Sequence, residues 1–220
     1  ALGDVDVTAT IGSFDVLTAA VESLDTPERR KRALLRHLWR PARFNALIDR
    51  FSRAAPPPPP MPDPDTPHVG LRSRADIEAR IATLKAEAET PPLYGAEVAR
   101  LRALTAIRAP APDAVAEMTR LADGDDRIAK AVAGVEAILT ALKANGTDPG
   151  SLTFETSFGL TSLEYYSGFV FGFARAGHAP VATGGRYDLL TAAMSGGAPI
   201  PAVGGVIRPE VLLALKGGRA

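Results

Sequence analysis

The 220-residue chain contains no cysteine, which excludes disulfides, thiolate metal sites and a thiol nucleophile. Histidine is nearly as scarce. His37, His68 and His178 lie far apart without ligand spacing, so no metal is expected. Neither sign of charge dominates, since Lys+Arg and Asp+Glu stand at 25 each. The basic field that nonspecific nucleic-acid binding needs is therefore missing, and no nucleic-acid partner is expected. No apolar run approaches the ~18 residues of a membrane span, so no membrane contact is expected either. Gly-x-x-x-x-Gly-Lys, Gly-x-Ser-x-Gly and His-Glu-x-x-His are all absent, and no cofactor is expected. What remains is an ordinary globular composition, 46% hydrophobic and 23% charged, in one or two domains. A soluble cytoplasmic protein is the expectation.

Against that background, Leu163 to Leu190 carries the most information. Leu163-Glu164-Tyr165-Tyr166-Ser167-Gly168-Phe169-Val170-Phe171-Gly172-Phe173 is rich in aromatic and β-branched residues and reads as a strand. Side chains alternate along a strand. Leu163, Tyr165, Ser167, Phe169, Phe171 and Phe173 would share one face, expected to pack on the core. Tyr166, Gly168, Val170 and Gly172 would share the other, expected to floor a pocket with Tyr166 at its rim. The alternative is that the glycines only admit a closely packed helix. Gly184-Gly185-Arg186-Tyr187-Asp188 follows after a short apolar stretch, Ala179 to Ala182. Two glycines suit a sharp turn near a ligand. Arg186 offers a planar fork for a carboxylate or phosphate, or else a salt bridge into the core.

Upstream, Leu2 to Thr10 alternates as a strand. Ser13 caps a helix through Leu24 with Phe14, Leu17, Val21 and Leu24 on one face. Thr26-Pro27-Glu28 opens a second helix, capped by the threonine. Its Arg29, Arg30, Lys31, Arg32 and Arg36 form the one dense basic run, read as a solvated face before a surface for RNA or an acidic partner. Trp39 and Phe44 flank Pro41 at a helix corner, and a third helix runs from Ala42 to Phe51. Pro56 to Pro60, with Pro62, Pro64 and Pro67, excludes helix and favours polyproline II, a spacer more than a docking ligand. Ser73 to Asp76 approximates a capping box for a helix with Ile77, Ile81 and Leu84 inward. Helices follow over 93–107, 111–122 and 126–145, the last with Ile128, Val132, Val135, Ile138, Leu139 and Leu142 on one face. From Ser151 the period becomes alternating. Leu152 to Phe158 reads as a strand pairing with the Tyr165 strand, and Ala179 to Ala182 as a third. Tyr187 to Met194 reads as a helix, Val203 to Ile207 as a buried strand and Pro209 to Leu215 as a closing helix. Glu155 and Glu164 fall in the pocket region, for an amino group or as structural carboxylates.

The pairing of Leu-Glu-Tyr-Tyr-Ser-Gly-Phe-Val-Phe with Gly-Gly-Arg-Tyr-Asp resembles the histidine-binding segments of the histidyl-tRNA synthetase family. Pro201 to Leu213 is similar to the third motif of class II synthetases, a strand leading into a helix. The resemblance implies an α+β fold: the class II antiparallel sheet with flanking helices, plus a helical insertion. Its first two motifs are not found, so the N-terminal part of that fold is expected to lie outside these residues. The implied organisation is a core strand at 1–12, a helical region at 13–150 with a proline-rich spacer at 55–67, and the C-terminal part of the core at 151–220. The implied ligand pocket is Tyr165, Tyr166, Gly168, Gly184, Gly185 and Arg186, and the implied ligand is histidine, held either there or at the interface with a partner subunit.

The departures carry the functional expectation. The family's catalytic arginine falls on Thr161, the glycine after it on Ser162, and the third-motif arginine on Val211. Losing one such charge-stabilising donor costs about 10²–10³ in rate, and two independent ones roughly 10⁴–10⁶. The chain thus resembles the branch of the family that has given up catalysis, the regulatory subunit of ATP phosphoribosyltransferase. That implies no catalytic residues, a short-form catalytic ATP phosphoribosyltransferase subunit as partner, and self-association as a dimer. A divergent synthetase, or a binding module using the basic helix or proline run, are the alternatives.

Overall fold

A computed structural model of the chain describes residues 6–61, 63, 70–159, 166–198 and 200–217. The strand β1 (Thr8–Ser13) runs into helix α1 (Phe14–Glu22), with Ser13 at the junction. The Ser13 hydroxyl accepts from the Asp15 backbone N–H at 3.3 Å, satisfying one of the donors a helix start leaves open. Helices α2 (Glu28–Arg36), α3 (Pro41–Phe51), α4 (Arg74–Ala88) and α5 (Gly95–Ala106) follow. Ser73 and Asp76 close the capping box at the head of α4. The short strand β2 (Arg108–Pro110) leads to α6 (Ala111–Leu121) and the long α7 (Asp126–Ala144), capped by Asp125. The chain then forms β3 (Thr153–Glu155), β4 (Phe169–Ala174), β5 (Ala182–Arg186), α8 (Asp188–Met194), β6 (Val203–Ile207) and α9 (Pro209–Gly217). Among the described residues, no helix is long and apolar enough to cross a membrane.

The six strands form one sheet in the order β2-β3-β1-β4-β5-β6. It is mixed, because β1 and β3 pair in parallel while every other pair is antiparallel. The expected all-antiparallel sheet is corrected at this one place. A parallel neighbour needs a long crossover, and the helices between β1 and β3 supply it. β1 also separates β3 from β4, so the Leu152 strand does not pair with the Tyr165 region as expected.

The core lies where α1 meets α5 and α7, with α6 packed between those two helices and the β2–β3 end of the sheet. Leu17, Leu104, Met118, Ile128 and Phe154 are fully buried there. Each such side chain contributes about 1.5–3 kcal/mol of burial. Trp39 packs its ring 4.5 Å from that of Phe14, so the helix corner at Pro41 closes onto the same core.

Several expectations are corrected. Helix α2 starts at Glu28 with Pro27 in the capping position and no side-chain cap. Thr26 Oγ1 is instead buried without a hydrogen-bond partner among the described residues. The basic face of α2 is not all solvated. Arg30 is 1% exposed, because its position one turn before the buried Leu34 points it inward, where Glu87 of α4 meets it. Ile77, Ile81 and Leu84 are only half-buried, and Glu87 is the buried residue of α4. The strand expected from Leu163 begins at Phe169, and Leu163 to Tyr165 lie outside the described residues. The expected buried strand Val203–Ile207 is an exposed edge strand. Residues 54–61 carry no helix or strand, as the prolines require, while Pro62 and Pro64 to Pro67 lie outside the described residues.

The two faces of β4 are exchanged relative to expectation. Val170 is 1% exposed and Gly172 is buried, whereas Phe169 and Phe171 are half-buried and Phe173 is 39% exposed. Ile11 and Phe154 are buried on the phenyl face at the β1–β3 end, but that cover does not extend to Phe173. Val170 is closed in by Tyr166 and Phe14, which come from outside the strand.

Candidate functional site

Tyr166 sits just before β4 and is 6% exposed. Its place is fixed by the irregular segment that follows. Ser167 N–H donates to the Arg186 carbonyl at 2.8 Å, and Phe14 N–H donates to the Gly168 carbonyl at 3.1 Å. Gly168 has φ +112°, a conformation side chains rarely adopt, and a Cβ there would lie 3.3 Å from Asp15 Oδ2. The glycine therefore lets the chain bend off the strand and approach the head of α1.

Gly184 and Gly185 do not make the expected sharp turn. They lie within β5, in extended pairing with β4 on one side and β6 on the other. Their lack of side chains serves ring packing. A Cβ on Gly185 would lie 2.8 Å from both Tyr166 Cδ1 and Val170 Cγ1. On the opposite face a Cβ on Gly184 would run into the Phe171 ring and the Gly204 carbonyl.

Arg186 ends β5 with its side chain 47% exposed. Its Nε donates to Asp188 Oδ2 at 2.6 Å, and the Ala202 N–H donates to Asp188 Oδ1 at 2.8 Å. The Ala202 N–H and then the Arg186 guanidinium hold the Asp188 carboxyl below its usual range. The arginine fork is thus pinned within the chain, beside the pocket and not in its lining.

Tyr166 is shared by two cavities. The first, about 340 Å³, is lined by Thr10, Glu155, Ser157, Phe158, Tyr166 and Thr183 among others, with Gly184 at its wall. The second, about 430 Å³, lies between Phe14, Asp15, Trp39, Gly168, Asp188 and Leu189. Both fall in the size range of small-molecule sites, apolar with a few polar groups. In the first, Glu155 is held in place. The Ser157 hydroxyl donates to its Oε1 at 2.7 Å, and Arg108 Nε stands 3.7 Å from its Oε2.

Of the sequence-predicted site residues, Tyr166, Gly168 and Gly184 line these cavities, Gly185 lies behind the Tyr166 ring and lines neither, and Arg186 borders them through Asp188. Tyr165 lies outside the described residues, as do Thr161, Ser162 and Glu164. Val211 is half-buried in the first turn of α9. Sequence reasoning missed Phe158, whose ring stands over Gly172, and the wall formed by Asp15 and Trp39. Only Asp188 carried a signal, as the last residue of the Gly-Gly-Arg-Tyr-Asp string.

Comparison with known proteins gives these elements a family. The family model described as "Histidyl-tRNA synthetase" matches residues 71–212. An ATP phosphoribosyltransferase regulatory subunit from Allorhizobium ampelinum is 37% identical over 135 residues, covering 60% of this chain and 36% of the relative. One from Rhizobium rhizogenes is 26% identical over 227 residues, covering 90% of this chain and 59% of the relative. The chain thus spans less than two thirds of the length of the curated relatives it matches. A crystal structure from Bacillus halodurans, described as an ATP phosphoribosyltransferase regulatory subunit/histidyl-tRNA synthetase, superposes with a TM-score of 0.62 at 18% identity. That superposition covers 96% of this chain and 45% of the other, and it shows a shared fold. The family match runs from before α4 into α9 and takes in the tyrosine and glycine segments around both cavities, so the chain belongs to the histidyl-tRNA synthetase family.

Proposed function

We propose that the chain is a non-catalytic regulatory subunit, required for the activity of a short-form ATP phosphoribosyltransferase at the first step of histidine biosynthesis. The observation that carries this reading is the 37% identity to a relative described as such a subunit. Thr161 and Val211, where the resembled synthetases have arginines, support the non-catalytic half of it. Without those cations, charge developing on a reacting phosphate would find no donor at those two positions. The protein would act in the cytoplasm, as a dimer, beside its catalytic partner.

Within this reading the first cavity, to which Tyr166 and Gly184 of the expected set contribute, takes histidine as an effector. The first cavity suits a small ligand with a ring and an amine. Phe158 and Tyr166 supply aromatic walls, the Thr10 and Thr183 hydroxyls supply polar contacts, and Glu155 supplies a carboxylate. Feedback control then amounts to a coupling free energy between this pocket and the partner's site, typically about 1–3 kcal/mol.

The test mixes this protein with the short catalytic subunit of the same organism and follows phosphoribosyl-ATP formation with and without histidine. The expected result is activity only in the mixture, lowered by histidine. Catalysis unchanged by this protein overturns the reading, as does histidine-dependent pyrophosphate exchange by this protein alone.

A further inference from the structure

Helix α3 ends at Phe51, and the chain then enters five consecutive prolines, Pro56 to Pro60. Each proline fixes its own φ near about −65°. Each residue from Ala55 to Pro59 also precedes a proline, which holds its ψ at roughly +120° to +160°. Together these restraints set a polyproline II helix, with three residues and about 9 Å to each turn. Residues 54–61 carry no helix or strand, and no peptide bond among the described residues is cis.

Exposure along the run follows the same period. Ala55 and Pro58, one turn apart, are half-buried, while Ala54, Pro56, Pro57, Pro59 and Pro60 are exposed. One ridge of the three-sided helix therefore rests on the protein. The other two, Pro56 with Pro59 and Pro57 with Pro60, face outward side by side. The start of the run is held in place. Ser52 N–H donates to the Ile48 carbonyl and Leu93 N–H to the Phe51 carbonyl, each at 2.9 Å, and Phe51 is buried. Among the described residues, no carbonyl from Ala54 to Pro60 accepts a backbone hydrogen bond, and the prolines have no N–H of their own. Arg53, at the bend before the run, is exposed and makes no ion pair among the described residues.

A spacer needs stiffness alone, and these features go beyond stiffness. Two adjacent proline ridges offer apolar surface that is already ordered and loses little chain entropy on binding. The bare carbonyls between them call for donors. Tryptophan and tyrosine bring both an apolar ring and an N–H or O–H. Arg53 at one end calls for carboxylates and fixes the direction in which a groove reads the run. We propose that Pro56 to Pro60 is a docking ligand for a partner protein, whose groove is lined by tryptophan and tyrosine and carries carboxylates at the end that meets Arg53. The groove grips the two outward ridges, while Pro58 keeps its contact with this chain. The occupant is a protein, because a nucleic acid would need a basic field and the run has one cation beside it. Docking here does not depend on whether the cavities bind histidine.

The test is calorimetric titration of the full chain with an isolated SH3 domain whose aromatic groove is flanked by carboxylates. Saturable one-to-one binding is expected, comparable to that of a peptide of residues 53–61. Pro57→Ala combined with Pro60→Ala should weaken it roughly tenfold or more, and Arg53→Glu roughly tenfold. Pro58→Ala should leave it unchanged, because that side chain faces the protein and not the groove. All these positions lie outside helices and strands, so the variants should keep the wild-type thermal unfolding. Binding by the peptide but not by the chain would mean that the ridges are covered, and it overturns the proposal. So does an absence of binding by both. A double proline variant that binds like wild type, or a loss caused by Pro58→Ala alone, overturns the assignment of the ridges.

Discussion

Replacing Glu87 by glutamine removes one negative charge from a place where two guanidiniums depend on it. Arg30 is 1% exposed, and its Nε donates to Glu87 Oε1 at 2.7 Å. Arg29, 33% exposed, donates from Nε to Oε2 at 2.9 Å. Arg30 has other partners: Nη1 donates to the Pro91 carbonyl at 2.7 Å, and the guanidinium lies 4.9 Å from the Phe51 ring. Breaking a buried pair by removing one partner costs about 3–5 kcal/mol. The partners that Arg30 retains offset some of this, so Glu87→Gln should destabilise by about 2–4 kcal/mol. Arg30→Met should cost less, about 1–3 kcal/mol, mainly for the Pro91 carbonyl left without its donor. Glu87 keeps Arg29 in that variant, and methionine fills much of the arginine stem's space. The order separates electrostatics from packing. Arg30 is the larger and more buried side chain, so a packing account predicts the larger loss at Arg30. Urea unfolding followed by the fluorescence of Trp39, the one tryptophan, measures both variants. A Glu87→Gln loss below about 1 kcal/mol, or one smaller than that of Arg30→Met, would refute the reasoning. Glu87 is also the buried residue of α4, so the same variant should speed amide exchange along that helix.

The pH dependence has a definite sign. Burial, the largest single influence, pushes the Glu87 carboxyl up, but the hydrogen bonds and charges of Arg29 and Arg30 together outweigh it and hold it below its usual 4.5. A folded-state value lowered in this way contributes stability that is complete above pH 4.5 and lost as pH falls through the folded-state value. Wild type should therefore lose stability more steeply than Glu87→Gln in that acid range, as read by unfolding at a series of pH values. Gly184→Ala should cost about 1–3 kcal/mol, because the new methyl meets the Gly204 carbonyl at 2.5 Å as well as the Phe171 ring. Gly172→Ala should cost less than Gly184→Ala, because the Phe158 ring it meets can swing aside; equal losses in urea unfolding would contradict this. Gly168→Ala should cost about 1–3 kcal/mol through its φ of +112°, with thermal unfolding as the readout.

Local signals in the sequence were read well. Ser13 and the Ser73–Asp76 box mark helix starts where side chains bond to backbone a few residues away, and such bonds are visible in sequence spacing. Strand β2 escaped notice because its three residues, Arg108-Ala109-Pro110, are too few for alternation to show. Arg30 could not be placed, since what buries it is a glutamate 57 residues away. The exchange of faces on β4 has a similar origin. Alternation divides Val170 and Gly172 from the phenylalanines, but only tertiary packing decides which set is covered, and Tyr166 and Phe14 cover Val170. At the site, Tyr166 and the two glycines were legible as a string of residue types. Phe158, Asp15 and Trp39 were not, because each reaches its cavity from a different element.

The Gly-Gly pairs show how a misleading local signal becomes intelligible in three dimensions. Gly184 pairs with Gly205 and Gly185 with Gly204, so the middle of β5 and β6 carries no side chain on either face. Rings occupy the vacated space from both sides. Phe171 lies over Gly184 and Gly205, while Tyr166 covers Gly185 and the Tyr187 hydroxyl stands over Gly204. Each Gly-Gly alone suggests a turn, because glycine is the default residue for strained backbone. The conflict resolves once the two pairs are opposite each other and three rings need flat backbone to lie on. It follows that the shape of the first cavity is set by ring positions more than by side chains rising from β5. Substitutions that add a side chain to this floor displace a ring before they meet a ligand. Changes to Tyr166 or Phe158 should therefore alter what the cavity accepts while the strands beneath keep their register.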